Sequence, residues 1–255
     1  MLPGEQIVLV LVEPQDAVNV GGVIRVMLNF GLQRLRLVRP APAALDPSRL
    51  DDVAHRSGEI VRHVDVFDSL AAALADVTFA AGTTARPRTI PGPTTTPREA
   101  APVLLQQANT GQLALVFGPE DTGLDNADLD LCHLVLTIPT APEYRSLNLA
   151  QAALLVCYEL WLTRHTPAQS GPAHQTGVAH LNPGGVAAPL GDLEGLFADT
   201  TRALQAVGFL KPGQETMIMR RLRGLVHRAL PTAEEVSLLR AMAREINKYV
   251  ERTSP

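Results

Sequence analysis

The sequence predicts an α/β fold with a mostly parallel sheet, followed by a tether and a small all-α unit. Two observations carry this expectation. Short β-rich apolar runs alternate with helical patterns through residues 1–165, and several are apolar on consecutive positions, as strands covered on both faces require. The stretch "HTPAQSGPAHQTGVAHLNPGGVAAPLG", His165–Gly191, then interrupts the pattern with Pro, Gly and polar residues, and only helical periods follow it. The expected division is residues 1–165, a flexible linker at 166–190 and a helical unit at 191–255.

Taken in order, the expected strands are Gln6–Glu13, Leu35–Arg39, Val77–Gly82, Gln112–Gly118 and Leu134–Pro139. Between them, helices are expected over Val20–Phe30, Ser69–Asp76, Pro97–Asn109 and Leu147–Arg164. The last of these is apolar on nearly every face, more than a helix with one wet side needs. After the linker, helical periods run over Leu190–Val207, Glu215–Ala229 and Ala233–Val250. "TAEE" opens the third, with Thr232 placed to cap and Glu235 to close a capping box.

Composition limits the function. With 46% hydrophobic and 19% charged residues, the 255-residue chain has enough apolar material for one or two domains. No apolar run reaches the length of a bilayer span, and Met1–Val12 lacks the features of a signal peptide, so a cytoplasmic protein without a membrane partner is expected. Cys132 and Cys157 have no ligand neighbours at metal spacing, and His165, His174 and His180 lie in the linker without acidic or thiol companions. No metal is expected. A net charge of −4 argues against coating nucleic acid, DNA included, by bulk electrostatics. From Gly191 onward, however, 10 Lys+Arg stand against 8 Asp+Glu, so contact with a polyanion must use local patches.

In open α/β sheets, ligands bind outside the carboxyl ends of the strands. Four segments lie there: Glu13–Gly31, Ala81–Arg88, Phe117–Asn126 and Ile138–Asn148. Each has a plain reading. Asn19 and Ser146 suit helix caps, Gly118 and Gly123 suit turns, and Arg25 suits a snorkelling arginine on an apolar helix. Together, the polar residues exceed what turns and caps require. No dinucleotide fingerprint, phosphate loop or nucleophile elbow is present.

Three stretches, "NVGGVIRVMLNFGLQRLRLVRP", "LVFGPEDTGLDNADLDLCHLVLTIPT" and "YRSLNLAQAALLVCYEL", resemble the signature motifs of the SPOUT class of RNA methyltransferases, SpoU branch. "GTTAR" is similar to its intermediate cofactor loop. "LFADTTRALQAVGFL" and "RRLRGLVHRALPTAEEVSLLRAM" resemble the helical extension of the TrmJ group. The resemblance covers most of residues 7–161 and 191–246. It implies a C-terminal trefoil knot in the α/β domain, a homodimer and S-adenosylmethionine as cofactor. It also implies 2′-O-methylation of tRNA at nucleotide 32, cytidine or uridine, in the anticodon loop. Position by position, Thr83, Thr84, Ala85, Gly118, Ile138, Arg145, Ser146 and Leu147 would hold the cofactor. Asn19, Arg25, Glu120, Ser146 and Asn148 would serve catalysis. Gly22, Ile24 and Val26 stand where the family commonly has Ala, and Arg145 where it commonly has a small residue.

A guanidinium is effectively always protonated, so Arg25 is expected to act by charge rather than as a base. Arg25, Arg86, Arg88, Arg220, Arg221 and Arg223 are the expected RNA contacts, through phosphates. Two rival readings stand beside this one. The first is a SPOUT enzyme acting on rRNA or on another tRNA ribose. The second is a non-catalytic RNA-binding protein that keeps the fold.

Overall fold

The computed structural model describes residues 4–46, 64–85, 94–166 and 186–253. Its sheet begins with β1 (Ile7–Val12), β2 (Arg34–Val38) and β3 (Val64–Phe67). It continues with β4 (Phe79–Thr83), β5 (Thr94–Thr95), β6 (Leu113–Phe117) and β7 (Leu134–Leu136). The spatial order is β3-β2-β1-β6-β4-β7-β5, and every pairing is parallel. The five expected strands are all present. Two more join them at the edges. Strand β3 carries "VDVF" with no residue fully buried, and β5 has only two residues, so neither offers the continuous apolar run that marks an inner strand.

Side chains alternate between two cores because successive strand residues point to opposite faces. Ile7, Leu9 and Leu11 of β1 share the first core with α1 (Ala17–Phe30), α3 (Pro97–Thr110) and α5 (Leu149–His165). Val8, Val10 and Val12 face the second. That second face meets the one-turn helix α2 (Leu70–Ala73), Leu129 of α4 (Asn126–Asp130) and three helices after residue 186, the linker expected at 166–190 lying largely outside the described residues. These are α6 (Leu190–Ala206), α7 (Glu215–Ala229) and α8 (Ala233–Thr253). The helix expected over Ser69–Asp76 is reduced to one turn, with Ser69 accepting from the Ala72 amide at 3.2 Å.

The tail is packed on the sheet rather than held apart from it. Leu193, Phe197, Met219 and Val226 enter the core of Val8, Val10, Ala114 and Val116. The amides of Leu190 and Gly191 donate to the carbonyls of Val77 and Ala75 at 2.8 and 3.1 Å. Arg220 of α7 pairs with Asp130 of α4 at 2.7 Å. Arg223 pairs with Glu194 of α6 and lies 4.3 Å over the Phe197 ring. The capping box at Thr232 and Glu235 forms as expected.

A histidine pair is buried at this contact. His133 stacks on Phe79 at 4.8 Å and meets His227 edge-on at 4.5 Å, while its Nδ1 accepts from the Ala80 amide at 3.2 Å. Burial, and then the neighbouring His227, holds His133 well below the usual imidazole range. Burial, and then the Arg223 cation, lowers His227 to about 4, with the Asp130 backbone opposing. Below the ordinary value of 6.5 the unfolded chain therefore binds protons that the folded chain refuses. The stability associated with the pair is complete above pH 6.5 and is lost as pH falls toward 4. In urea unfolding at stepped pH, His227→Phe is expected to flatten this decline by up to about 1.4 kcal/mol per pH unit. Parallel profiles for both proteins would show that the pair does not titrate with folding.

Candidate functional site

Strands β6, β4 and β7 lie side by side, so the loops at their carboxyl ends converge although they are far apart in sequence. Between them is a cavity of ≈ 290 Å³. Thr83, Thr84 and Ala85 come from the end of β4, and Gly118 to Gly123 from the end of β6. Ile138 and the Arg145–Leu147 turn come from the segment after β7. All eight residues singled out for a cofactor line this one space, with Leu136, Leu149 and Ala152 forming its apolar floor.

Close backbone approach shapes the wall. A Cβ on Gly118 would stand 2.1 Å from the Leu124 amide nitrogen, so only glycine lets the loop fold back on itself. Gly123 completes the turn at φ +64. Small hydroxyl residues, an apolar floor and peptide edges suit a flat heteroaromatic ring with a polar tail. The volume is near the lower end of ordinary ligand pockets, roughly 300 Å³.

Beside the cavity, three segments are joined by side-chain amides. Asn148 caps α5, its Oδ1 accepting from Ala150 and Gln151 at 2.9 and 3.4 Å. Its Nδ2 must then donate outward, and it does so to Asn19 Oδ1 at 2.7 Å. Asn19 in turn gives its Nδ2 to Glu120 Oε1 at 2.8 Å. Glu120 also accepts from the Gln15 amide at 3.2 Å. Polarity alone fixes both amide orientations, because an amide nitrogen, its lone pair delocalised into the carbonyl, donates but does not accept.

Two capping readings of the sequence are displaced. Asp16, not Asn19, caps α1, accepting from the Val18 amide at 2.7 Å. Asn148, not Ser146, caps α5. Asn19 is thereby free to reach Glu120, and Ser146 stays exposed at the cavity. Glu13, with a left-handed φ of 48, turns the chain at the end of β1 and so brings the Gln15 amide toward Glu120. Its carboxylate pairs with Arg39 at 2.8 Å, which ties that turn to the end of β2. Gln15 was not among the residues singled out, since a backbone donor leaves no mark in a side-chain pattern.

Arg25 is not brought to the cavity lining. It is exposed on α1, six residues beyond Asn19, and among the described residues it has no hydrogen-bond or ion-pair partner. Gly22 lies between them on the same helix, where a Cβ would come 2.8 Å from the Ala150 Cβ of α5. Ile24 and Val26 are core residues. Arg145 lines the cavity and turns its Nε toward the Pro142 carbonyl at 3.4 Å. Arg86 and Arg88 lie outside the described residues. Arg220 and Arg223 are occupied by Asp130 and Glu194, while Arg221 is exposed. Cys132 and Cys157 are buried free thiols, both pushed up by burial, Cys157 to about 12.

Known proteins show the same arrangement of segments. Residues 6–158 match the SpoU rRNA Methylase family, and residues 191–255 match the tRNA methyltransferase TrmJ, C-terminal domain. The tRNA (cytidine/uridine-2'-O-)-methyltransferase TrmJ of Pectobacterium atrosepticum is 35% identical over 96% of this chain and 98% of its own. The crystal structure of TrmJ from Z. mobilis ZM4 superposes with a TM-score of 0.77 at 32% identity, covering 94% of this chain and 98% of that one. A structure concerning the 2-OH methylation of C/U34 on tRNA superposes at 0.51 with 28% identity, covering 63% of this chain and 91% of that one.

The amide chain makes a stability prediction. Asn19→Asp sets a second carboxylate against Glu120 and is expected to cost about 1–3 kcal/mol in denaturant unfolding. Adding Glu120→Gln should recover most of that loss. Additive losses in the double-mutant cycle would show that Asn19 and Glu120 are not coupled.

Proposed function

Since the chain belongs to the SpoU methylase family and, by its tail, to the TrmJ group within it, we propose that it methylates a ribose 2′-oxygen of tRNA with S-adenosylmethionine as donor. The observation that supports this most directly is the meeting of Thr83–Ala85, Gly118 and Arg145–Leu147 around one cavity, with the Asn148–Asn19–Glu120 chain at its side. The bound donor supplies an electrophilic methyl group on a sulfonium centre.

The protein's own residues supply position and charge. Thr83–Ala85, Gly118 and Arg145–Leu147, on the loops after β4, β6 and β7, would hold the donor and limit water around it. Fixing both partners in line accounts for as much as about 7–11 kcal/mol of the barrier in such reactions. Glu120 is tied to the cavity wall by Asn19 and Gln15, so it keeps its place when RNA arrives. Arg25, on the helix that carries Asn19, stands in the open where a strand laid across α1 meets it. Its fixed cation binds a phosphate or ribose oxygen and stabilises the developing alkoxide. Ser146, exposed at the cavity, hands the hydroxyl proton to water.

The proposal includes the trefoil knot and a homodimer. The homodimer is supported by the apolar residues left open on two helices that pack together: Val18 and Leu28 on α1, and Leu154, Leu155 and Tyr158 on α5. Nucleotide 32 is the proposed target, as cytidine or uridine. Position 34 is the second reading, favoured by the likeness to the C/U34 structure. That match covers 63% of this chain and nearly all of the other, so the other protein has little length left for a tail of this kind, and this difference favours position 32. A cytoplasmic location follows from the proposed substrate.

Mass-spectrometric mapping of tRNA incubated with protein and S-adenosylmethionine is expected to show one added ribose methyl at nucleotide 32. Methylation at 34 supports the second reading, and methylation of rRNA fragments alone overturns the tRNA reading. Arg25→Lys retains the charge but loses the planar fork, and it is expected to lower kcat/KM by about 100-fold. Wild-type turnover with unchanged RNA affinity would remove Arg25 from the reaction.

A further inference from the structure

We infer that the groove between α6 and α8 is a seat for a phosphodiester group of RNA, organised around the buried carboxylate of Asp199. The inference rests on the tRNA reading above and adds a second contact on the tail, away from the cavity.

Asp199 is on α6 and only 2% exposed. Three guanidiniums converge on it. Arg202 Nη2 approaches Oδ1 at 2.5 Å, and Arg240 Nε and Arg244 Nε approach Oδ2 at 2.9 and 3.2 Å. One cation suffices to balance one carboxylate, so this cluster has a surplus. Arg240 is the one that fits as a helix clamp. It is the least exposed of the three, and its guanidinium lies where a Cβ on Gly195 would come within 2.6 Å. Arg202 and Arg244 are 68% and 56% exposed, and ion pairs that open to water do little to hold helices together.

Each of the three engages Asp199 through a single nitrogen, and no other acceptor among the described residues takes the rest. These groups line a recess of ≈ 550 Å³ together with Asn247, Lys248 and Glu251. Lys248 is already paired with Glu245 at 2.7 Å, so three guanidiniums face the two carboxylates of Asp199 and Glu251. Asp199 acts as the hub that lets like charges gather without flying apart, and what remains is a net positive hollow edged by planar forks. Such forks match the paired oxygens of a phosphate better than any neutral ligand. The chain carries a net charge of −4, so RNA must be drawn by a local patch of this kind. The groove also replaces part of what the sequence assigned to α7, where Arg220 and Arg223 are already neutralised by Asp130 and Glu194.

The test uses full-length protein and tRNA. In Arg202→Gln/Arg244→Gln, Arg240 still pairs with Asp199, so the fold is retained and unchanged thermal unfolding checks this. Anisotropy titrations over a salt series are expected to show about 10-fold weaker tRNA binding. The slope of log affinity against log salt should be smaller by about one unit, as for the loss of one or two phosphate contacts. Calorimetry with S-adenosylmethionine should be unaffected, and at saturating tRNA kcat should persist while KM rises. Arg202→Lys/Arg244→Lys keeps the charge and should recover the slope with only part of the affinity. Equal affinity and slope in the Gln variant overturn the seat. So does the absence of salt-dependent tRNA binding by the unsubstituted chain. If that chain binds tRNA but methylates none, and the Gln variant still loses affinity and slope, the seat stands and the enzymatic reading falls.

Discussion

Asn148 cannot cap α5 without turning its amide N–H toward Asn19, and the site depends on that constraint. Once its oxygen is committed to the Ala150 and Gln151 amides, its nitrogen can only donate, and Asn19 is left with a nitrogen for Glu120. A sequence separation of 129 residues is closed by a 2.7 Å hydrogen bond. The first helix, the β6 loop and the last helix of the α/β domain are therefore held in one register by groups with no rotational choice. The cavity next to them inherits that order, which is what in-line transfer between two bound partners demands.

The sheet sets where this can happen. Because β4, β6 and β7 are neighbours, the loops after them share one end of the sheet, and close contacts such as that at Gly118 bring backbone rather than side chains to the wall. Gly22 plays the equivalent part for the helices. Its missing Cβ lets α1 settle against Ala150, directly behind the Asn19–Asn148 contact. The departure from Ala at this position is thus explained by how closely the two helices approach.

The tail has two duties with different chemistry. Its inner side replaces water on the second face of the sheet, with Phe197 and Val226 in the core and His133 and His227 kept neutral among them. Its outer side carries charge. On α7, Arg220 and Arg223 are paired with Asp130 and Glu194 while Arg221 stays exposed, whereas on α6 and α8 a single carboxylate gathers more cations than it needs. Position, not composition, separates the arginines that hold the tail from those that face an anion.

The amino-acid pattern by itself determined the order of elements, the five inner strands and the helices that flank them. It did so because buried parallel strands and capped helices write their periods into consecutive residues. The GTT, GPEDTG and RSLN segments were legible as loops at strand ends, since glycine and small hydroxyls gather where backbone must approach closely. Only the tertiary structure decided which residues cap, that Asp16 frees Asn19, and that Gln15 contributes through its amide. It alone set Arg220 and Arg223 against acids on other helices and drew Arg202, Arg240 and Arg244 around Asp199. Those outcomes depend on distances between segments that are remote along the chain, and a local pattern holds no record of them.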